Sequence, residues 1–155
     1  MTFDHYRSGA PRRPGTGVTA DLVDPLRACF RDGEGWLEYG VVEHRLREVA
    51  PAVFARHVAE AGHRMFGPTR SSASQRIAHA LRSLRADDEV HHFIGPSTGR
   101  AWRGNPISHW SLDPSRPRID VISWARLRAQ LGTSDDWTAA DRAGLASPRQ
   151  GYPGA

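Results

Sequence analysis

The hydrophobic period of the chain changes once between residues 71 and 112, and that change limits the folds open to it. From Ser72 to Ala86 the apolar residues recur on a helical spacing. Ile77, Leu81 and Leu84 fall at i, i+4 and i+7, and Ala73 and Ala80 extend the same stripe. Ser72 stands three residues before Gln75, the spacing of a capping box, in which the serine hydroxyl accepts an orphan backbone N–H. After Asp87-Asp88-Glu89 the period drops to two. Val90, His92 and Ile94 alternate with His91 and Phe93, and Ser108, Trp110 and Leu112 alternate with Ile107 and His109. Between them Gly95-Pro96-Ser97-Thr98-Gly99 is turn chemistry. The spacing therefore predicts a helix over 72–86, then two strands joined by an exposed loop that carries Arg100, Trp102 and Arg103.

Charge concentrates on the same stretch. Gln75, Arg76, His79, Arg82 and Ser83 fall on the polar face of the expected helix, which holds no carboxylate. All 21 basic residues of the chain are arginine. Nine of them lie between Arg64 and Arg118 against four acids, a net of +5 where the whole chain carries +4. Such a patch calls for a negatively charged partner, and nucleic acid is the commonest. The planar guanidinium fork suits phosphates and guanine edges.

A basic-faced, capped helix followed at once by a hairpin with a basic tip resembles the second half of a winged helix-turn-helix domain. The residues that carry the resemblance are Ser74-Gln75-Arg76-Ile77-Ala78-His79-Ala80-Leu81-Arg82-Ser83-Leu84 and the hairpin after them, about a quarter of the chain. The resemblance implies a mainly α fold with a small β-hairpin: a winged helix-turn-helix core over 19–118 with extra C-terminal helices over 119–145. It implies a DNA-binding transcriptional regulator that holds double-stranded DNA, with helix 72–86 in the major groove and wing 95–106 on the backbone or minor groove. In that arrangement Gln75 meets adenine, Arg76 and Arg82 meet guanine or phosphate, and His79 meets a base edge or the backbone. Ser72 and Ser74 hold phosphates near the helix N-terminus, and Arg100 and Arg103 work from the wing. Residues 63–70 depart from the pattern, because a tight helix-turn-helix uses three or four turn residues.

The remaining segments frame this core. Residues 1–18, with Arg12-Arg13 among Pro and Gly, read as a disordered basic arm, and 146–155 as a disordered tail. Asp24-Pro25 reads as a helix start, with Leu26, Cys29 and Phe30 as its stripe. Trp36-Leu37-Glu38-Tyr39 reads as a short strand or the entry to the next helix. Val42, Leu46 and Val49 mark one further helix, with Glu43 and Arg47 at i, i+4. Val53, Phe54, Val58 and Ala61 mark another, which Gly62 ends. Ser123 caps a last helix through Trp124, Leu127 and Leu131, and Thr138 with Asp141 starts a short one after Trp137. Those aromatic and aliphatic residues serve equally to cover the core or to form a homodimer.

Chemistry is weakly signalled. No Cys-x-x-Cys, His-Glu-x-x-His, phosphate-loop or nucleophile-elbow pattern occurs, so neither an enzyme nor a cofactor is expected. Two alternatives stay open: a winged-helix module that binds protein and not DNA, and a small metal-dependent nuclease using Glu89, His91, His92 and His109. No apolar run reaches membrane-spanning length and Met1–Arg7 lacks the apolar core of a secretory signal, so a cytoplasmic protein with no membrane partner is expected.

Overall fold

The computed structural model describes residues 17–63, 72–96 and 106–132. Helix α1 spans Ala20–Arg27. It starts after Thr19 and carries Pro25 inside it, so the start expected at Asp24-Pro25 is corrected. Leu22 and Leu26, four apart, are both fully buried, and a helix begun at Asp24 would leave Leu22 off the core face. Asp24 pairs with Arg27 instead of capping. Trp36–Glu38 is a strand, β1, and runs straight into α2, Tyr39–Val49. Helix α3, Pro51–Ala61, opens on a proline whose missing N–H would have no partner in a first turn anyway. Gly62, at φ +81°, ends it.

Helix α4 spans Ala73–Ala86, and its Ser72 hydroxyl accepts the Gln75 N–H as the sequence predicts. Backbone bonds from Ala73 N to Gly62 O (2.6 Å) and from Ser74 N to His63 O (2.9 Å) seat the start of α4 against the end of α3. After α4 come β2 (His91–Pro96), β3 (Pro106–Ser111), β4 (Val121–Ile122) and α5 (Trp124–Gln130). The Ser123 hydroxyl accepts the Arg126 N–H and so caps α5 as expected.

The strands form one mixed sheet in the order β2-β3-β1-β4. β3 is antiparallel to both β2 and β1, and β1 is parallel to β4. The described residues thus form a mixed α/β fold of five helices and a four-stranded sheet. This overturns the expected mainly α fold with a small hairpin, and with it the winged helix-turn-helix core. The physical reason lies in β1 and β4. A two-stranded hairpin is marginal in water, and here β1 adds a third strand while β4 covers the other edge of β1.

The register assigns the two faces. Leu37 pairs with Trp110, and Trp110 with His92, so these share one face. Leu37 and Trp110 join Leu22, Leu26, Val42, Leu46, Ile77, Leu81 and Leu84 in the main core. Full burial of each such leucine stabilises by about 1.5–3 kcal/mol. The opposite face holds Trp36, Glu38, Phe93 and His109. There Phe93 stacks on His109 at 4.5 Å, meets Trp36 edge-on at 4.8 Å, and lies under the Arg118 guanidinium. Glu38, fully buried, accepts the Trp124 N–H at 3.0 Å and ties α5 to β1. The Trp124 indole lies against Gly40 and beside His44, so this residue covers the core and is not exposed for dimer contact. Leu131 is exposed, and Trp137 and the Thr138–Asp141 box lie outside the described residues. No helix among the described residues is long and apolar enough to cross a membrane.

Candidate nucleic-acid interface

Helix α4 presents two faces with opposite chemistry. Ala73, Ile77, Ala80, Leu81 and Leu84 are buried, while Gln75, His79, Arg82, Ser83 and Arg85 are exposed. Gln75, His79, Arg82 and Ser83 follow the helical repeat along one outward strip without a carboxylate. Three of the eight residues singled out from the sequence, Gln75, His79 and Arg82, therefore share a surface. Arg100 and Arg103 lie outside the described residues.

The other three, Ser72, Ser74 and Arg76, are engaged in contacts within the protein. Ser72 is fully buried as the helix cap. The Ser74 hydroxyl donates to Glu43 Oε1 at 3.0 Å. The same oxygen accepts from His63 Nε2 at 2.8 Å and from the Tyr39 hydroxyl at 3.1 Å. Glu43 is 3% exposed and His63 fully buried, so this carboxylate is an anchor where α2, the end of α3 and the start of α4 meet. The sequence pairs Glu43 with Arg47, but that contact is long, at 4.0 Å, and the Arg47 guanidinium lies over the Phe54 ring.

Arg76 belongs to a closed ring of side chains. It donates to His57 Nδ1 at 3.0 Å and to Glu60 at 2.7 Å. His57 Nε2 donates to Asp21 at 2.9 Å, Asp21 pairs with Arg56, and Arg56 closes the ring on Glu60. An acceptor role for Nδ1 and a donor role for Nε2 fix a neutral imidazole. Burial, then the charges of Arg56 and Arg76, hold His57 below its ordinary range against the opposite pull of Glu60. The ring staples α1, α3 and α4 together.

The arginines differ in their partners. Arg27, Arg45, Arg56, Arg76 and Arg116 each bond a carboxylate. Arg82 and Arg85, on the second half of α4, are exposed and have no carboxylate partner among the described residues.

Strand β2 carries a further histidine. His92 Nε2 bonds the Ser108 hydroxyl at 2.9 Å, and its ring leans on Trp110 at 4.4 Å. Burial, then Arg85, His109 and Arg82, depress its protonation. The sequence offers His92 only as a metal ligand. His109 is held apart from it. Its Nδ1 donates to the Ile107 carbonyl at 3.0 Å, and burial lowers its affinity for a proton against the pull of that carbonyl and of Glu38. Among the described residues no three His, Cys, Asp or Glu side chains gather as a metal would need. Burial pushes the Cys29 thiol up to about 12 against the pull of Arg45, which removes it as a nucleophile near neutral pH.

The described residues thus define a mixed α/β protein in which one helix, α4, has an exposed face that bears arginine and no acid. No protein-family model, no curated protein and no solved structure matches the chain. The winged-helix resemblance rests on its quoted residues alone.

Proposed function

We propose that the protein binds double-stranded DNA through the exposed face of α4 and acts on transcription by occupancy, with no chemistry of its own. One observation carries this reading: Arg27, Arg45, Arg56 and Arg76 are bonded to carboxylates, whereas Arg82 and Arg85, like Arg126 on α5, are exposed with no carboxylate partner among the described residues, and α4 carries those two together with the exposed Gln75 and His79 on a helix that bears no acid. An α-helix fits the major groove, about 12 Å wide. From that position Gln75 and His79 reach base edges, and Arg82 and Arg85 reach guanine or phosphate. The opposite face of α4 is fixed by the Glu43 anchor and the Arg76 ring, so the helix is presented as a rigid ridge.

The test is titration of the protein into a labelled random-sequence duplex at two salt concentrations, beside Arg82→Ala/Arg85→Ala. Binding should weaken steeply with salt. Each lost phosphate contact should flatten the slope of log affinity against log salt by about 0.9. No binding at low salt, or a double variant that binds like the parent, would refute the reading.

A further inference from the structure

The ring that holds Arg76 is balanced in charge only while His57 is neutral. It contains two carboxylates, Asp21 and Glu60, and two guanidinium groups, Arg56 and Arg76, with the His57 imidazole between Asp21 and Arg76. Asp21 comes from α1, Arg56, His57 and Glu60 from α3, and Arg76 from α4. Helix α2 also packs on α3, but its Glu43 bonds His63 and its Arg47 lies over Phe54. His57 is fully buried, whereas Glu60 is exposed. Arg76 stands at the border of the exposed strip of α4, between Gln75 and His79.

A single Arg76 nitrogen makes both of its contacts in the ring, 3.0 Å to His57 Nδ1 and 2.7 Å to Glu60 Oε2. A guanidinium only donates, so Nδ1 must offer a lone pair. A proton on Nδ1 removes that lone pair and sets an N–H and a second positive charge against the same nitrogen. It also gives the ring three cations for two carboxylates. Glu60 Oε2, across that nitrogen, is an acceptor for the new N–H, while Nε2 keeps Asp21. With His57 bonded to a carboxylate through each nitrogen the ring is again neutral, and Arg76 is the cation left over. Burial, then the charges of Arg56 and Arg76, disfavour the imidazolium, so the exchange belongs to the acid side of about pH 6.5. Arg76 and then Arg56 hold Glu60 below the ordinary carboxylate range, so it is still an anion there.

We infer that Asp21, His57 and Glu60 form a proton-operated latch on Arg76: when His57 Nδ1 takes a proton from solvent, His57 replaces Arg76 on Glu60, and the Arg76 guanidinium swings out to the exposed strip of α4 beside Gln75 and His79. The latch stands on the geometry of the ring alone. Its consequence for DNA rests on the function proposed above, to which a released Arg76 adds one phosphate contact at acid pH. The coupling is reciprocal: a phosphate that takes Arg76 favours the protonated state of His57 by the same factor.

The experiment follows the His57 imidazole and the Arg76 Nε–H together by NMR from about pH 7 to 4.5, each resonance assigned by its loss in His57→Gln or Arg76→Met. The two should titrate with one midpoint while the indole N–H of Trp110, in the core, keeps its folded position. In Arg76→Met the His57 midpoint should rise by about one unit, because the imidazolium loses a like charge and a competitor for Glu60. An Arg76 signal that does not move through the His57 midpoint overturns the latch, and so does a His57 that stays neutral down to about pH 4.5. Loss of the folded Trp110 signal at that midpoint overturns it too, since the proton would then unfold the chain and not free one side chain. Where a duplex binds, the slope of log affinity against log salt should steepen on acidification by about 0.9 more in the parent than in His57→Gln, whose amide can still accept from Arg76 and donate to Asp21 but takes no proton. His79 titrates equally in both proteins, so an equal change in the two overturns the consequence for DNA. Release of Arg76 without duplex binding leaves the latch standing and defeats the DNA reading.

Discussion

Gly40→Ala probes how α5 is held against the body of the protein. Helix α2 would ordinarily gain from the change, because alanine exceeds glycine in helix propensity by up to about 1 kcal/mol. At Gly40, however, an added Cβ would lie 2.7 Å from Cγ of Trp124 and 3.0 Å from Cδ1 and Cδ2. Carbon atoms pack at about 3.5–4.0 Å, so the indole would have to retreat by nearly 1 Å. It cannot do so alone. The Trp124 backbone N–H is bonded to the buried Glu38 carboxylate, and Ser123 caps the same helix end. Overpacking of this kind costs about 1–3 kcal/mol, which offsets the propensity gain and leaves a net loss of up to about 2 kcal/mol. In a Trp124→Ala background the obstacle is gone, and the same substitution should stabilise by up to about 1 kcal/mol. The assay is urea denaturation of the four proteins of the cycle, with stability taken from the midpoint and slope. The sign of the Gly40→Ala effect should reverse between backgrounds, with a coupling of about 1–3 kcal/mol. An equal effect in both, or stabilisation of the parent, would refute the packing argument.

Two further outcomes follow from the polar groups. Arg76→Met should destabilise by about 1–3 kcal/mol in urea melts, since His57 and Glu60 lose a charged donor, whereas Arg82→Met should change stability by less than about 0.5 kcal/mol; equal effects would dissolve the distinction between the two arginines. His57, His92 and His109 all hold protons less tightly in the folded state, chiefly through burial. Above an unfolded value of about 6.5 both states are neutral and this stabilisation is complete. Below it the unfolded chain takes up protons that the folded chain refuses, so stability falls with pH until the folded values are reached. The loss reaches about 1.4 kcal/mol per pH unit for each histidine, and a urea midpoint that stays level between about pH 7 and 5.5 would refute the assignment.

What could be foreseen from the sequence was what short-range physics decides. The Ile77-Leu81-Leu84 stripe, the Ser72 and Ser123 caps and the alternation around Phe93 and Trp110 are each contained within a few residues, and α4, α5, β2 and β3 all form where those signals lie. β4 could not be foreseen. Val121 and Ile122 are too few for a period, and they count as a strand only because Trp36 and Leu37 lie beside them. The start of α1 was misplaced because Asp24-Pro25 is a strong local signal that burial of both Leu22 and Leu26 overrides. On α4 the exposed strip was foreseen, but its edge was not. Arg76 sits at the border of the two faces, and its direction was settled by Glu60 and His57 on another helix. Ser74 was read as polar and therefore outward, while the acceptor that draws it inward, Glu43, looked from the sequence like one half of a surface pair.

The place of β1 in the sheet has a consequence for synthesis. Among the described strands this one comes first in the chain, yet its neighbours β3 and β4 are the last to be made. Helices α1 to α4 can leave the ribosome and collapse on their shared leucines while Trp36–Glu38 still has both edges bare. An unpaired apolar strand is a template for other chains. The hazard lasts until Ser111 and then Ile122 have emerged, so the chain should fold late in translation rather than in step with it, and ribosome-bound chains arrested before Val121 should be the ones most in need of a chaperone.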